Sequence, residues 1–281
     1  MVKNELMEAL PLLPHLSSTV RLLYDKNYKY RYKKEAANLK YLRKQIGKNF
    51  QDYKLNPSSG NVLIFGISKV QVSLVERVIA TAFERVGMKP ILMGSRSPLS
   101  RKTYELLGFK DLYTVPTTIR SKAKRIAKEV MKNTPNEKEL FRFEHDQLPC
   151  GKFVLATFLR NTRKGTIDFK DPEVFYSLTI ALAKSISMID AAQNFLDKLN
   201  PNALVVVDRG YTPYAEFSNL CIARDIPVFT WNMAQRSGLI VMKRFKSHNT
   251  HLHYHSLSDD TWNRLLNIKW SKTFAEASER E

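Results

Sequence analysis

The sequence predicts an α/β protein built on a parallel sheet flanked by helices. Three observations carry that expectation. Unbroken apolar runs, NVLIFG, MKPILMGS, ALVVV and IPVFTW, read as strands covered on both faces. Segments with apolar residues at steps of three and four alternate with them, as amphipathic helices do. The joints between the two kinds are short and hold Gly, Pro, Asn or Asp. Strand, helix and strand in short succession call for βαβ units and a parallel sheet.

Taken in order, residues 1–60 form a basic, aromatic, glycine-poor region in which Tyr24, Tyr28, Tyr30, Tyr32 and Tyr41 alternate with lysines and arginines. Leu39, Leu42, Ile46 and Phe50 predict a helix from Glu35 to Phe50 with a cationic outer face. LNPSSG, residues 55–60, is turn chemistry and closes this region. The α/β domain is expected over 61–270. NVLIFG opens it as a strand, ISKVQVSLVERVIATAFERVG follows as a helix ending at Gly87, and MKPILMGS is the second strand. YELLGFKDLYTV gives a helix end and a third strand. TIRSKAKRIAKEVMKN predicts a helix with Ile119, Ala123, Ile126, Val130 and Met131 inward. FVLATFL fits a strand or a helix equally. Asp171, Pro172 and Glu173 are the start signals of a long helix. Its inner face runs through Phe175, Leu178, Leu182, Ile186, Ile189, Phe195, Leu196 and Leu199 to Asn200-Pro201. Then come the strand ALVVV, the helix YAEFSNLCIARD, the strand IPVFTW, a further strand in GLIVMKRF and a helix capped by Ser258 or Asp259. Residues 271–281 read as a polar helical tail.

The net charge of +18 over 281 residues points to an anionic partner: nucleic acid, an anionic membrane surface or phosphorylated small molecules. No stretch approaches the roughly 20 apolar residues of a membrane span, and MVKNELMEALPLLPHL does not read as a signal peptide. With only Cys150 and Cys221, far apart in sequence, a reducing compartment and no disulfide are expected. The expected location is cytoplasmic, peripheral to a membrane.

The site candidates gather where ALVVV ends in DRGYTPYAEF. In an open α/β sheet, ligands bind beyond the carboxyl ends of the strands. Arg209 there is suited to bidentate contact with phosphate or carboxylate, Gly210 permits a sharp turn, and Tyr211 stands beside them. Thr212 and Pro213 are expected to cap and open the next helix. Glu216, four residues after Thr212, is one residue too far for a capping box, which leaves it as a candidate acid or base. Trp231 and Arg236, in TWNMAQRSG, are expected at the same edge, Trp231 to stack on a sugar or to close the core. In SHNTHLHYH, the HxxHxHxH spacing fits no zinc template, so His248 is a candidate hydrogen-bond donor to phosphate or sugar rather than a metal ligand. Weaker anion-binding candidates are Ser68 and Lys69 after the first strand, and Arg160 and Arg163 after FVLATFL. Neither metal nor cofactor is expected.

The run RGYTPYAEFSNLCIARDIPVFTWNMAQRSGLIVMKRFKSHNTHLHYHSLSDDTW resembles the N-terminal half of GT-B-type glycosyltransferases of surface and capsule polysaccharide biosynthesis. The positions that match are Tyr211, Pro213, Trp231, Arg236, Gly238, Ser247 and His248, within the last third of the chain. The resemblance implies a single Rossmann-like GT-B-type N-terminal domain, here with a helical basic extension. It implies an acceptor-side domain that binds a glycan or lipid-linked acceptor, with the nucleotide-sugar donor held by a second domain or another chain. Under it Glu216 becomes the general base or an acceptor-binding acid, and Arg209, Arg236 and His248 become anion or acceptor contacts. Two other readings stand beside it: a basic nucleic-acid-binding protein, favoured by the tyrosine-rich cationic N-terminus, and a non-catalytic partner or scaffold of a glycan-assembly complex.

Overall fold

The computed structural model describes residues 26–46, 59–67, 69–94, 97–115, 118–163, 165–234, 238–253 and 255–268. Six strands form one sheet: β1 (Asn61–Phe65), β2 (Lys89–Gly94), β3 (Leu112–Thr114), β4 (Pro201–Val206), β5 (Val228–Met233) and β6 (Ile240–Phe245). Their order is β3-β2-β1-β4-β5-β6. The first five strands are parallel, and β6 runs antiparallel to β5. That is a Rossmann-like order, with a crevice expected where the direction of winding reverses between β1 and β4. The parallel α/β expectation holds for five strands, and β6 makes the sheet mixed. GLIVMKRF returns beside β5 through a short connection, which only an antiparallel neighbour permits.

Strand alternation divides the core in two. Leu63, Phe65, Ile91, Met93, Leu204 and Val206 face one layer, while Val62, Ile64, Leu92, Ala203, Val205 and Trp231 face the other. Because β1 and β4 are covered on both sides, their sequences show unbroken apolar runs instead of alternation.

The layer on the second face holds α1 (Lys26–Ile46), α2 (Val70–Arg85) and α3 (Pro98–Leu106). Helix α1 begins nine residues before the expected start at Glu35, and Leu39 and Leu42 enter the core as their spacing predicts. Phe50 and the polar tail lie outside the described residues.

The other layer holds α4 (Ser121–Lys132), α5 (Glu137–Arg142), α6 (Cys150–Thr162), α7 (Pro172–Leu199) and α8 (Tyr214–Ala223). FVLATFL lies in α6, where Phe153, Val154, Leu155 and Phe158 are all buried. A helix wedged against α5, α7 and α8 buries so much of its circumference that its period is erased from the sequence.

Helix α7 spans 28 residues and starts as its sequence indicates. The Asp171 carboxylate accepts the Glu173 amide at 2.9 Å, with Pro172 in the first turn. Asp171→Ala is expected to cost about 1 kcal/mol, read by denaturant unfolding, with no change in ligand binding. Among the described residues α7 is the one helix long and apolar enough to cross a membrane, but most of its apolar window is buried against the sheet and its neighbours. The last helix, α9 (Asp259–Leu266), is capped by Ser258, whose hydroxyl oxygen accepts the Thr261 amide at 3.2 Å.

Candidate functional site

At the β1 side of the crevice between β1 and β4, several described groups pair with one another. Gly66, just beyond β1, lies so close to Tyr104 that a Cβ at position 66 would stand 2.4 Å from the tyrosine oxygen. Tyr104 donates to Glu76 Oε2 at 2.7 Å, and the Ile67 amide donates to Glu76 Oε1 at 2.8 Å. Burial pushes the Glu76 carboxyl up to about 7 against those two hydrogen bonds. The Val70 amide, first in α2 and a natural anion-binding group, donates to the Glu35 carboxylate of α1 at 3.0 Å. Tyr214 closes the other side, with its ring edge-to-face on Phe65 at 5.2 Å. Lys69 lies exposed before α2, and Ser68 is outside the described residues.

Among the described residues a pocket lies on the β4 side. Its volume is about 480 Å³, and it is bounded by Pro149 and the α6 residues Lys152, Phe153 and Ala156, by the β4–α8 loop (Asp208 to Tyr211) with Asn219, and by the loop Thr250–His253. Three of the sequence candidates, Arg209, Gly210 and Tyr211, line it. Arg160 adjoins them. Its Nη1 donates to Asp208 Oδ2 at 3.2 Å, and its guanidinium lies 4.2 Å from the centre of the Tyr211 ring. The Gly210 amide donates to Asp208 Oδ1 at 2.8 Å, so one carboxylate fixes both the turn and the arginine.

Arg209 is half-buried and points inward. Its Nη2 donates to the carbonyls of Thr250 and Leu252, the latter at 2.8 Å. Its guanidinium stacks 4.0 Å from the centre of the Phe245 ring. Burial lowers its pKa, with Asp208 opposing that shift. Lys243 does similar work from β6, donating to the carbonyls of His253 at 3.0 Å and Ser256 at 2.8 Å. Two cations thus hold the backbone of the histidine loop by its carbonyls and leave His251 and His253 at the pocket wall. One end of the Arg209 fork is thus committed to the protein, while the residue lines the pocket.

Other candidates are placed elsewhere. Glu216 is fully buried and outside the pocket lining. Its Oε1 accepts the hydroxyls of Ser185 at 2.6 Å and Thr212 at 2.7 Å, while Oε2 has no partner among the described residues. Burial pushes this carboxyl up to about 7. Thr212 therefore does not cap α8, which begins at Tyr214 with Pro213 at the cap position. Trp231 lies in β5 and is buried on the second face, away from Arg209, because β5 continues to Met233 where a loop was expected. His248 is exposed in the 3-10 turn Ser247–Asn249, outside the pocket lining. Arg163 ends α6 in a left-handed conformation, φ 55°, and is exposed. Arg236 lies outside the described residues.

Sequence reasoning missed Lys152, Asn219 and Thr250 as pocket residues. Pro149, Lys152, Phe153 and Ala156 recur at helical spacing, a signal that becomes readable once FVLATFL is known to be helical. Lys152 is exposed and makes no hydrogen bond or ion pair with the described residues. Outside the pocket, His145, Asp146 and Asp190 bring ligand atoms within 4.8 Å of one another, and Arg120 donates to Asp190 at 3.3 Å. Cys150 and Cys221 are free and buried, and burial pushes both thiols up to about 12.

The pocket therefore combines a lysine unpaired among the described residues, two histidines, an arginine held against an aspartate and a tyrosine, and an exposed glycine turn. This set favours an anionic, hydroxyl-bearing ligand. Comparison with protein-family models, with curated proteins and with solved structures gives no match for this chain.

Proposed function

We propose that this chain is the acceptor-side domain of a glycosyltransferase-like protein of surface-polysaccharide synthesis, with the pocket beyond β4 as its acceptor site. The observation that carries the reading is the pocket's position and charge. It opens at the carboxyl end of a central strand and presents Lys152, His251 and His253 around one carboxylate, Asp208, that is already paired with Arg160. The resemblance of residues 209–262 to GT-B-type N-terminal halves supplies the reaction class. A phosphorylated or otherwise acidic sugar, free or lipid-linked, suits this lining. On the same resemblance the nucleotide-sugar donor belongs to a second domain or chain, and the Val70 amide at the start of α2, a natural anion site, is already taken by Glu35. Asp208 and the two histidines are the groups placed to orient an acceptor hydroxyl. Glu216, sealed in the core, supports the β4–α8 joint.

The test is ligand-observed NMR on the full chain with sugar phosphates and with UDP-, GDP- and CMP-sugars. Sugar phosphates are expected to bind, and Lys152→Ala is expected to weaken them about tenfold without moving the unfolding midpoint. Binding of nucleotide-sugars that survives Lys152→Ala while sugar phosphates stay silent would overturn the acceptor-side reading. The nucleic-acid reading has one specific observation in its favour: α1 exposes Tyr30 and Tyr41 among lysines and arginines. Binding to generic RNA with a steep salt dependence is its signature.

A further inference from the structure

Beyond β4 the sheet stops, but β5 and β6 continue. Val206 pairs with Thr230, whereas Trp231, Asn232 and Met233 pair only with β6, at Met242, Val241 and Ile240. The end of this ribbon stands clear of the parallel sheet. Its outer positions are apolar and open to solvent: Met233, Leu239, Ile240, Val241 and Met242 are each between 37% and 53% exposed. Cross-strand pairing puts Met233, Ile240 and Met242 on one face and Val241 on the other, with Leu239 toward the tip.

A second apolar surface lies on α9. Trp262, Leu265 and Leu266 recur at steps of three and one, so they share one helix face, and every residue of the helix is exposed. The loop that forms the pocket wall leads directly into this helix, and Lys243 of β6 anchors that loop.

Such exposed apolar positions need an occupant. A second copy adding to the open β6 edge would satisfy backbone groups along one side and leave both faces of the ribbon in water. A bilayer interface surrounds a protruding ribbon and covers both faces at once. The charge beside the ribbon agrees: Arg244 and Lys246 are exposed just after its apolar positions, in a chain of net charge +18, while α9 sets Arg264 in its last turn against Asp259 and Asp260 in its first. A tryptophan on an exposed amphipathic face suits the headgroup boundary.

We propose that the β5–β6 ribbon and α9 form a docking surface for an anionic lipid bilayer. The inference rests on this surface and not on the pocket's ligand. It places the pocket wall next to the membrane, where a lipid-linked molecule would be presented.

The test is flotation of the full chain with phosphatidylcholine vesicles, with and without phosphatidylserine. Binding is expected only when phosphatidylserine is present. Two double variants, Leu239→Glu with Val241→Glu and Trp262→Ala with Leu266→Glu, are each expected to lower partitioning by about tenfold or more. All four positions are exposed, so circular dichroism melts are expected to match the parent. Lys152→Ala is expected to float like the parent, which keeps a failed pocket reading separate from a failed docking reading. The proposal is overturned if the parent chain does not float with phosphatidylserine vesicles. It is also overturned if both double variants float as well as the parent, which would assign binding to the basic N-terminal region. Sedimentation showing a dimer that the variants convert to monomer, without vesicle binding, would assign the surface to a second copy.

Discussion

Between pH 4.5 and about 7 two buried carboxyls are expected to contribute a loss of stability as the pH rises, and Glu216→Gln is expected to remove about half of that contribution. Two fully buried carboxyls, Glu216 and Glu76, have folded pKa values pushed from 4.5 up to about 7 by burial. Below 4.5 both groups are protonated in the folded and unfolded states alike, and their contribution is fully present. Between the two values the unfolded chain releases protons that the folded chain keeps, so stability falls as pH rises, and the loss is complete above about 7. A shift of this size corresponds to roughly 3 kcal/mol for each group. Self-repulsion of a chain with net charge +18 grows as other carboxylates are protonated and pulls the opposite way. The isosteric variant separates the two effects, because a glutamine side chain carries no titrating proton and its amide oxygen could still accept from Ser185 and Thr212. Denaturant unfolding across this pH window is the measurement. A glutamine variant with an unchanged pH profile would mean that the native carboxyl is hydrated and ionised, and would reopen the catalytic role that its spacing from Thr212 suggests.

The reasons for reading Glu216 as catalytic show where the sequence stops being legible. A glutamate in the first turn of a helix, next to an arginine and a glycine at a strand end, has the local signature of a site residue. Its hydrogen-bond partner Ser185 lies in the middle of α7, 31 residues earlier, and no local pattern reports that contact. The strands were legible for the opposite reason. Burial on both faces writes itself into NVLIFG and ALVVV as an unbroken apolar run. The start of α7 was legible because Asp171, Pro172 and Glu173 act within one turn. Helix α6 was ambiguous because neighbours cover most of its circumference. Trp231 was misplaced because its strand runs past the sheet to pair with β6, and the antiparallel return of β6 depends on a connection whose geometry the residues do not specify. The pocket was half legible. Its floor, Asp208 to Tyr211, is one continuous loop, whereas its walls come from α6 and from a loop that begins 41 residues beyond Arg209.

Arg209→Ala is expected to cost about 3 kcal/mol of folding stability and to abolish binding at the pocket. Nη2 makes two hydrogen bonds from a charged donor, to the carbonyls of Thr250 and Leu252, and each such bond contributes about 1.5 kcal/mol or more when partly shielded from water. Stacking on Phe245 adds about 0.5–1 kcal/mol. Arg209 is only half-buried and solvent takes back part of that sum, so the lower end of the range applies. Without the guanidinium the carbonyls of Thr250 and Leu252 lose their charged donor, and the loop is left to Lys243 at His253 and Ser256, to Asn249 on the Arg244 carbonyl and to the packing of Leu252. Arg209→Lys is expected to recover part of the stability and little of the binding, because an ammonium keeps a charged donor for the two carbonyls but loses the flat guanidinium that stacks on Phe245. The contrast with Lys152→Ala is the informative one. Lys152 is exposed at the pocket and makes no hydrogen bond or ion pair with the described residues, so its loss is expected to lower affinity at constant stability. Arg209 acts through the wall, so its loss lowers both together. Thermal unfolding and sugar-phosphate titration of the three variants separate these outcomes. If Arg209→Ala melts like the parent and only affinity falls, the guanidinium is a direct ligand contact, and the histidine loop holds its position by Lys243, Asn249 and Leu252 without it.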